Sequence, residues 1–372
     1  MRVIVLLLLG LAVNLLSGCS QLSGNQQDEA AAVISAGPAT VDRPPIVTDR
    51  FILESSEASV VGEVQRIYAQ QEDTFVDIAR EYNLGFDELR QANPAVDPWL
   101  PGEDTVIILP TQFILPEAGR DGIVINLAAK RLFFYPPAAE DGTRYVMTFP
   151  IGIGKSESPT PIGATTVVSK LADPVWYVPA SIRAESAAEG NPLPPKVLPG
   201  PNNPLGKHML GLGFPSYLLH GTNKPAGVGM QVSHGCVRLF PENIEFLYEN
   251  AELGIPVEIV DQPYLVGWRE EALYFESHPP LDGVREDEES VDALLELINA
   301  AIARAPNGRA SVDMVRIGEL SDAQRGFPVP VLRKSRDLQA VIEQSTVVNN
   351  LVSHPAIDTL SDSKPPQVSA NN

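Results

Sequence analysis

The sequence predicts a mostly β domain over residues 122–262, with a small α+β module before it at 62–111 and a C-terminal α/β extension after it. Three observations support this architecture. Short runs of β-branched and aromatic residues, separated by turn residues, begin at Gly122. Apolar residues recur at helical spacing after Asp73, and again in an acidic stretch near the C-terminus. A length of 372 residues is sufficient for more than one domain.

The composition of the chain excludes several classes of function. The 27 Lys and Arg residues stand against 47 Asp and Glu, which gives a formal net charge of −20 at pH 7. Nucleic-acid binders depend on clustered basic residues, so this charge argues against nucleic acid as a partner. The two cysteines, Cys19 and Cys236, are too few for a disulfide-rich scaffold and too far apart for a zinc site. We therefore expect neither a metal nor a cofactor.

Residues 1–18 have the layout of a secretory signal peptide, because Arg2 precedes an apolar run too short to span a membrane comfortably. The segment Leu16-Ser17-Gly18-Cys19 resembles the lipobox of bacterial lipoproteins, whose Cys is acylated and becomes the N-terminus. This resemblance implies a periplasmic protein anchored through Cys19 in the lipid of the outer membrane. An ordinary signal peptide cut nearby is the alternative. Residues 19–61 are expected to form a flexible tether.

Residues 62–111 predict a βααβ unit. A helix follows Asp73-Thr74, which can cap it, and a second helix ends at Asn93-Pro94 before a closing strand. This pattern resembles a LysM module, a family that binds N-acetylglucosamine in peptidoglycan or chitin. Glu72 stands where that family usually has Gly, which places an acidic side chain beside the sugar groove. The module is therefore either a structural spacer or a glycan-binding unit.

The rest of the mature chain divides into three parts. Residues 122–262 hold the predicted strands and one clear helix. Residues 263–335 are expected to form the C-terminal extension, with an acidic helix over Asp287–Arg304 whose apolar residues recur at helical spacing. The polar residues 336–372 are expected to be a disordered tail.

The reactive residue types are concentrated around Cys236. A thiol nucleophile needs a base beside it and donors for the developing oxyanion. Cys236 follows His234-Gly235, where the Gly lets backbone amides approach a reacting carbonyl. His220 lies 16 residues upstream at the end of a predicted strand, so the loop can fold back and bring the imidazole beside the sulfur. No acidic residue lies between the two, so we expect a backbone carbonyl to orient the second imidazole nitrogen.

The segment Ser233-His234-Gly235-Cys236-Val237-Arg238, with His220-Gly221 upstream, resembles the signature of the L,D-transpeptidase catalytic domain, the YkuD family. The resemblance covers residues 122–262 and implies a β-sandwich-like fold. It also implies that Cys236 forms a thioester with a peptidoglycan tetrapeptide stem and releases D-Ala. The acceptor would be an amine, either the diaminopimelate of another stem in a 3-3 cross-link or a Lys of a Braun-type outer-membrane lipoprotein.

The resemblance implies roles for the residues around the thiol. His220 would accept and donate the proton, and the Gly221 carbonyl would orient it. The backbone amides of His234, Gly235 and Cys236 would form the oxyanion hole. The His234 side chain would support the thiolate or the geometry of the loop.

Arg238, Ser233 and Thr222 are expected to bind the substrate, and a structural ion pair is the alternative for Arg238. Two further functions stay open for the whole chain. With water as acceptor it would be an L,D-carboxypeptidase that trims stems, and without catalysis it would be a wall-binding tether. The sequence leaves the oligomeric state undetermined. The remaining histidines have no catalytic context and are expected at the surface: His208, His278 and His354.

Overall fold

The computed structural model describes residues 50–55, 58–281 and 288–354, with only the backbone for 288–290. The expected signal peptide, Cys19 and most of the expected tether lie outside the described residues. The end of the expected tail, residues 355–372, lies outside them as well. Among the described residues, no helix has the length and apolar character that a membrane crossing requires.

Short strands dominate the described chain. The strands are, in chain order, β1 Arg50–Leu53, β2 Val60–Gly62, β3 Gln65–Tyr68, β4 Val106–Leu109, β5 Gln112–Ile114, β6 Gly122–Asn126, β7 Arg131–Tyr135, β8 Arg144–Pro150, β9 Ile153–Gly154, β10 Gly163–Ala172, β11 Trp176–Tyr177, β12 Lys196–Val197, β13 His208–Leu212, β14 Leu218–His220, β15 Gln231–Ser233, β16 Val237–Arg238, β17 Pro256–Val260, β18 Tyr264–Arg269, β19 Ala272–Ser277, β20 Val329–Pro330 and β21 Thr346–Val347. The helices are α1 Phe75–Glu81, α2 Phe86–Ala92, α3 Ala180–Ala188, α4 Pro241–Asn250, α5 Glu288–Ala303, α6 Met314–Ala323 and α7 Leu338–Glu343.

The β domain is built on one nine-stranded sheet with the order β1-β8-β7-β6-β17-β10-β13-β14-β16. Most neighbours in this sheet are antiparallel, whereas β17 pairs with β6, and β14 with β16, in parallel. The prediction of a mostly β domain is confirmed. The expected sandwich takes the form of one continuous hydrogen-bonded sheet, because β17 joins β6 to β10.

Strands β6 and β7 are buried on both faces. In β6, Ile123 and Ile125 enter one core and Val124 enters another, because successive side chains of a strand point to opposite faces. The first core also contains Ile244 and other residues of α4. The second core is shared with helices α1 and α2. Burial on both faces explains why the sequence of β6 shows no alternation of polar and apolar residues.

The elements β3, α1, α2 and β4 follow one another in the order predicted for residues 62–111. Thr74 caps α1: its Oγ1 accepts the Asp77 N–H at 3.3 Å, and the Asp77 carboxylate accepts the Thr74 N–H at 3.2 Å. The elements share their core with strands β6 and β7 of the nine-stranded sheet. The assignment to the LysM family stays a prediction.

The expectation of a disordered tail over 336–372 is wrong for the described part of that range. Helix α7 is followed by β21, which pairs in parallel with β3 and places Thr346 opposite Gln65. Val348 and Val352 are buried in the core that contains α1 and α2. Two apolar pairs, Val347-Val348 and Leu351-Val352, are too short a pattern to predict burial, so the burial of Val348 and Val352 depends on a surface that the rest of the fold provides.

The expected tether over 19–61 also ends earlier than predicted. Strand β1 pairs antiparallel with β8 at the edge of the large sheet, and it buries Phe51 and Leu53. Strand β2 pairs with β5. The alternation of buried and exposed residues in β1 covers only four residues. A pattern of that length is too short to distinguish a strand from a polar linker.

The C-terminal extension is a three-stranded sheet, β18-β19-β20, with a core that includes residues of α5 and α6. Some of the apolar residues of α5 are buried and others are exposed. Ile298 is 2% exposed, whereas Val291 and Leu295 are 58% and 42% exposed. His278 is buried, with its Nε2 2.7 Å from Glu276 Oε1. The expectation of a surface position is therefore wrong for this histidine.

Candidate active site

The parallel pair of β14 and β16 brings the candidate base and the candidate nucleophile together. The register of this pair places His220 opposite Arg238. Register partners share a face of the sheet, and so do residues two apart along a strand. His220 and Arg238 therefore project from the same face, and Cys236 directly precedes β16, two residues before Arg238. The Leu218 N–H of β14 acts to lower the pKa of the Cys236 thiol.

His220 is buried, and its Nδ1 lies 2.6 Å from the Gly221 carbonyl oxygen. A carbonyl oxygen only accepts hydrogen bonds, so Nδ1 carries the proton and Nε2 is left as the proton acceptor. Burial lowers the pKa of His220 to about 4, and the positive charge of Arg238 acts in the same direction. The imidazole is therefore neutral near pH 7 and able to act as a base.

Cys236 is half-buried, and its Sγ lies 3.6 Å from the Ser216 carbonyl oxygen. Burial raises the pKa of the Cys236 thiol, although the Leu218 N–H and the charge of Arg238 oppose this effect. The resting group is therefore the thiol. A neutral base next to a protonated thiol indicates that the sulfur loses its proton at the moment of attack.

A buried turn holds the residues before Cys236. Ser233 is 1% exposed; its Oγ accepts the Gly235 N–H at 3.1 Å and donates to the Cys236 carbonyl at 2.6 Å. Thr160 Oγ1 donates to the Gly235 carbonyl at 2.8 Å. Gly235 has φ 104°, and a Cβ at this position would lie 2.8 Å from Tyr217 Cε1. Only glycine fits this combination of backbone angle and space.

Two sequence-based expectations change at this turn. The Gly235 amide was expected in the oxyanion hole, but it is already bonded to Ser233 Oγ. Ser233 was expected to bind substrate, but its buried hydroxyl holds the turn instead. The backbone amides of His234 and Cys236 make no hydrogen bond within the described part of the chain. These two amides are the members of the expected oxyanion hole that can still donate.

His234 contacts an element that the sequence did not connect with the site. Its Nε2 lies 2.8 Å from Glu185 Oε2 on α3, and Glu185 Oε1 accepts from Lys155 Nζ at 2.6 Å. Helix α3 has no buried residue of its own. This charge cluster therefore fastens α3 beside the thiol. The partners lie 30 and 49 residues apart in the chain, so no local pattern predicts their contact.

The other two expected substrate contacts differ in their surroundings. Thr222 is buried and its Oγ1 accepts the Lys224 N–H at 2.9 Å, so it stabilises a turn rather than facing the substrate. Arg238 is half-buried and, within the residues described, forms no ion pair. The structural ion pair considered for Arg238 is therefore absent from the described residues. A partly desolvated guanidinium beside the thiol suits a carboxylate of the substrate.

The depressed pKa of His220 predicts that the folded state is destabilised by acid. An unfolded histidine titrates near 6.5, whereas the folded His220 takes up a proton only near pH 4. Between these values the unfolded chain binds the extra proton, so the free energy of unfolding falls as the pH decreases from about 6.5 to about 4. The loss attributable to this residue is on the order of 3 kcal/mol.

Urea unfolding at pH 7 and pH 4.5 measures this effect. The wild-type chain should lose more stability between these pH values than His220→Asn, which lacks the titrating group. An equal loss in both chains would contradict the assignment of a buried neutral imidazole. Above pH 6.5, His220 should contribute nothing to the pH dependence of the free energy of unfolding.

Comparison with known proteins shows similarity to one family well beyond the short signature around Cys236. The L,D-transpeptidase catalytic domain family, YkuD, matches residues 120–259. "Probable L,D-transpeptidase YcfS" of Escherichia coli K12 is 37% identical over 311 residues, which cover 82% of this chain and 92% of that protein. "Probable L,D-transpeptidase YbiS" of the same strain is 38% identical over 283 residues, with coverage of 75% and 90%. "Probable L,D-transpeptidase ErfK/SrfK" of Salmonella typhimurium is 36% identical over 285 residues, with coverage of 76% and 90%.

Proposed function

The chain belongs to the L,D-transpeptidase family, and we propose that it transfers tetrapeptide stems of peptidoglycan through a thioester on Cys236. The observation that carries this proposal is a neutral, oriented imidazole at the end of β14 and a half-buried thiol directly before β16, the strand that pairs with β14 in parallel. A non-catalytic tether would have no need of this arrangement.

In the first half-reaction, the Cys236 sulfur attacks the carbonyl between diaminopimelate and the terminal D-Ala. His220 Nε2 takes the thiol proton as the S–C bond forms. The negative charge on the carbonyl oxygen is stabilised by the amides of His234 and Cys236. The C–N bond then breaks, His220 returns the proton to the leaving nitrogen, and D-Ala departs from the thioester.

In the second half-reaction, an acceptor amine attacks the thioester carbon and gives its proton to His220 Nε2. The C–S bond breaks, and the sulfur recovers the proton from the imidazole. A diaminopimelate acceptor gives a 3-3 cross-link, and a Lys of a Braun-type lipoprotein gives an attached lipoprotein. Water as acceptor gives a tripeptide, which is the carboxypeptidase alternative. The protein is left unchanged in each case.

Arg238 is the residue that we assign to substrate binding. It lies two residues after Cys236 and opposite His220 in the register of β14 and β16, and burial lowers the pKa of its guanidinium while it still carries its charge. A stem peptide offers carboxylates close to the scissile bond, and a carboxylate would offset the desolvation of Arg238. The same positive charge helps to keep His220 neutral before the reaction.

We also place the protein in the periplasm, with Cys19 acylated in the outer membrane and peptidoglycan as its partner. This proposal rests on the lipobox-like sequence before Cys19 and on the substrate of the reaction proposed above. A lipoprotein of the outer membrane would then lie within reach as acceptor. The LysM-like elements add glycan binding only if the surface near Glu72 accepts a sugar.

Mass spectrometry of reaction products tests the function. The protein is incubated with purified disaccharide-tetrapeptide, with and without a short peptide that carries a free Lys side chain. Loss of D-Ala with formation of a dimer, or of a Lys-linked adduct, is the expected result. Accumulation of tripeptide alone would support the carboxypeptidase alternative, and unchanged tetrapeptide would contradict both enzymatic readings.

A further inference from the structure

We propose that the segment from the end of α1 to the start of α2, residues 80–86, called the turn below, is a positioning element for Cys236. The inference rests on the proposed role of Cys236 as nucleophile. Residues 221–235, which connect the candidate base to the nucleophile, are named the catalytic loop. The turn contacts this loop before Cys236 and contacts the chain again after β16, so it holds the reactive segment from both sides.

The contact before the thiol is a close approach of two backbones. The Phe86 N–H donates to the Val228 carbonyl at 3.4 Å. A Cβ added at Gly229 would lie 2.3 Å from Gly85 Cα and 2.4 Å from Phe86 N. Such distances exclude any side chain at Gly229, whose φ of +86° also favours glycine. From this contact the chain runs through β15 directly to His234, Gly235 and Cys236.

The turn is itself fixed to the nine-stranded sheet. The Gly85 N–H donates to Glu88 Oε2 at 2.6 Å. The same carboxylate forms two hydrogen bonds of 2.7 Å with the Arg131 guanidinium on β7. Glu88 and Arg131 are 4% and 1% exposed. A bidentate buried pair resists displacement because its loss would leave a charge without solvent. The catalytic loop therefore packs against a turn that the buried Glu88–Arg131 pair holds in place.

The contact after β16 uses side chains. The Arg80 guanidinium stacks over the Phe240 ring at 4.4 Å and pairs with Glu242 at 2.7 Å. Asn83 Oδ1 accepts from Asn243 Nδ2 at 2.7 Å. These contacts fix the beginning of α4, which follows β16 after a single connecting segment. Displacement of the turn would therefore shift both flanks of the strand that begins next to Cys236.

The consequence for catalysis is geometric. Transfer of the thiol proton to His220 requires the sulfur to lie within hydrogen-bond reach of the imidazole, and displacement of about 1 Å costs roughly 100-fold in rate. A misplaced thiol reacts only through the thiolate already present. Its acylation rate then rises with pH, whereas a well-placed thiol beside a neutral base reacts at a rate nearly independent of pH above the His220 pKa.

The test is Gly229→Ala, assayed with a carbapenem, a β-lactam whose strained ring a thiol nucleophile opens to form a thioester. The rate at which it acylates Cys236 is followed by mass spectrometry between pH 5 and pH 9. We expect acylation at pH 6 to fall by about tenfold or more, and the rate to rise steeply with pH. The matched control is Gly254→Ala. Gly254 has the same φ of +86°, but no atom lies within 4 Å of its Cβ position. The acylation rate of Gly254→Ala should lie within about twofold of the wild-type rate and should not change with pH.

A second variant keeps the test independent of how well Gly229→Ala folds. Asn83→Gly suits the positive φ of 51° at that position and removes only the side-chain bonds to Asn243 and Thr148. It should shift the pH profile in the same direction as Gly229→Ala. An unchanged pH profile in Asn83→Gly, or in folded Gly229→Ala, would overturn the positioning role. Failure of wild type to be acylated would overturn the proposed function, and this inference with it.

Discussion

Replacing Cys236 by alanine is expected to abolish release of D-Ala from a disaccharide-tetrapeptide, with a fall in rate on the order of 10⁴-fold or more. The thiol is the atom that forms the covalent intermediate, and no other cysteine lies among the described residues. The remaining groups, His220 and the backbone amides, can activate water only weakly without the thioester. Release of D-Ala and the gain in protein mass with a carbapenem measure the loss.

The same variant should fold as well as wild type. Cys236 is only half-buried, and alanine preserves its backbone and the hydrogen bond from Ser233 Oγ to the residue 236 carbonyl. Urea unfolding should therefore give a free energy of unfolding within about 1 kcal/mol of wild type. Retention of D-Ala release by a folded Cys236→Ala chain would exclude the thioester mechanism.

Replacing Glu88 by alanine is expected to lower the free energy of unfolding by about 3–5 kcal/mol. Glu88 forms both hydrogen bonds to the Arg131 guanidinium and also accepts the Gly85 N–H. Its removal leaves the Arg131 charge buried without a carboxylate partner, in contact with Thr148 Oγ1 at 2.8 Å, the Asn83 carbonyl at 3.3 Å and the Phe113 ring at 4.3 Å. An uncompensated charge in the interior costs far more than an exposed ion pair contributes.

A pair at the surface provides the control for this prediction. Glu242→Ala removes the 2.7 Å contact with Arg80, but the two side chains are 54% and 39% exposed. Its effect on the free energy of unfolding should stay within about 1 kcal/mol. Equal effects of Glu88→Ala and Glu242→Ala in urea unfolding would refute the assignment of Glu88 as a buried anchor.

Local patterns were sufficient for the parts of the site that lie close together in the chain. Ser233 to Arg238 is one continuous segment, and His220 ends a strand that its aromatic and apolar neighbours predict. The contact of His220 with the Gly221 carbonyl needs only adjacent residues. The same segment led to the family that the comparisons show. Sequence alone also predicted the mostly β domain, because alternating short runs and turns are local features.

Residue type and position in the motif were not sufficient to predict the roles of Ser233, Thr222 and the Gly235 amide, because these roles depend on the neighbouring groups in the folded chain. Ser233 and Thr222 are polar residues next to the motif, and both proved to be buried in turns. The Gly235 amide is unavailable because a hydroxyl two residues away already accepts its hydrogen. A polar residue beside a nucleophile faces either the substrate or its own backbone, and only the packed turn distinguishes these cases.

The sequence by itself determined the β character of the domain and the choice of Cys236 and His220 as the candidate thiol and base, since each of these is encoded within a short stretch. Only the tertiary structure decided the contacts of Glu185 with His234, of Glu88 with Arg131 and of β21 with β3. These partners are separated by tens to hundreds of residues. Their contacts form because another part of the fold buries a charge that needs a partner or exposes an apolar surface that an apolar side chain can cover. No local periodicity of the sequence predicts such a contact.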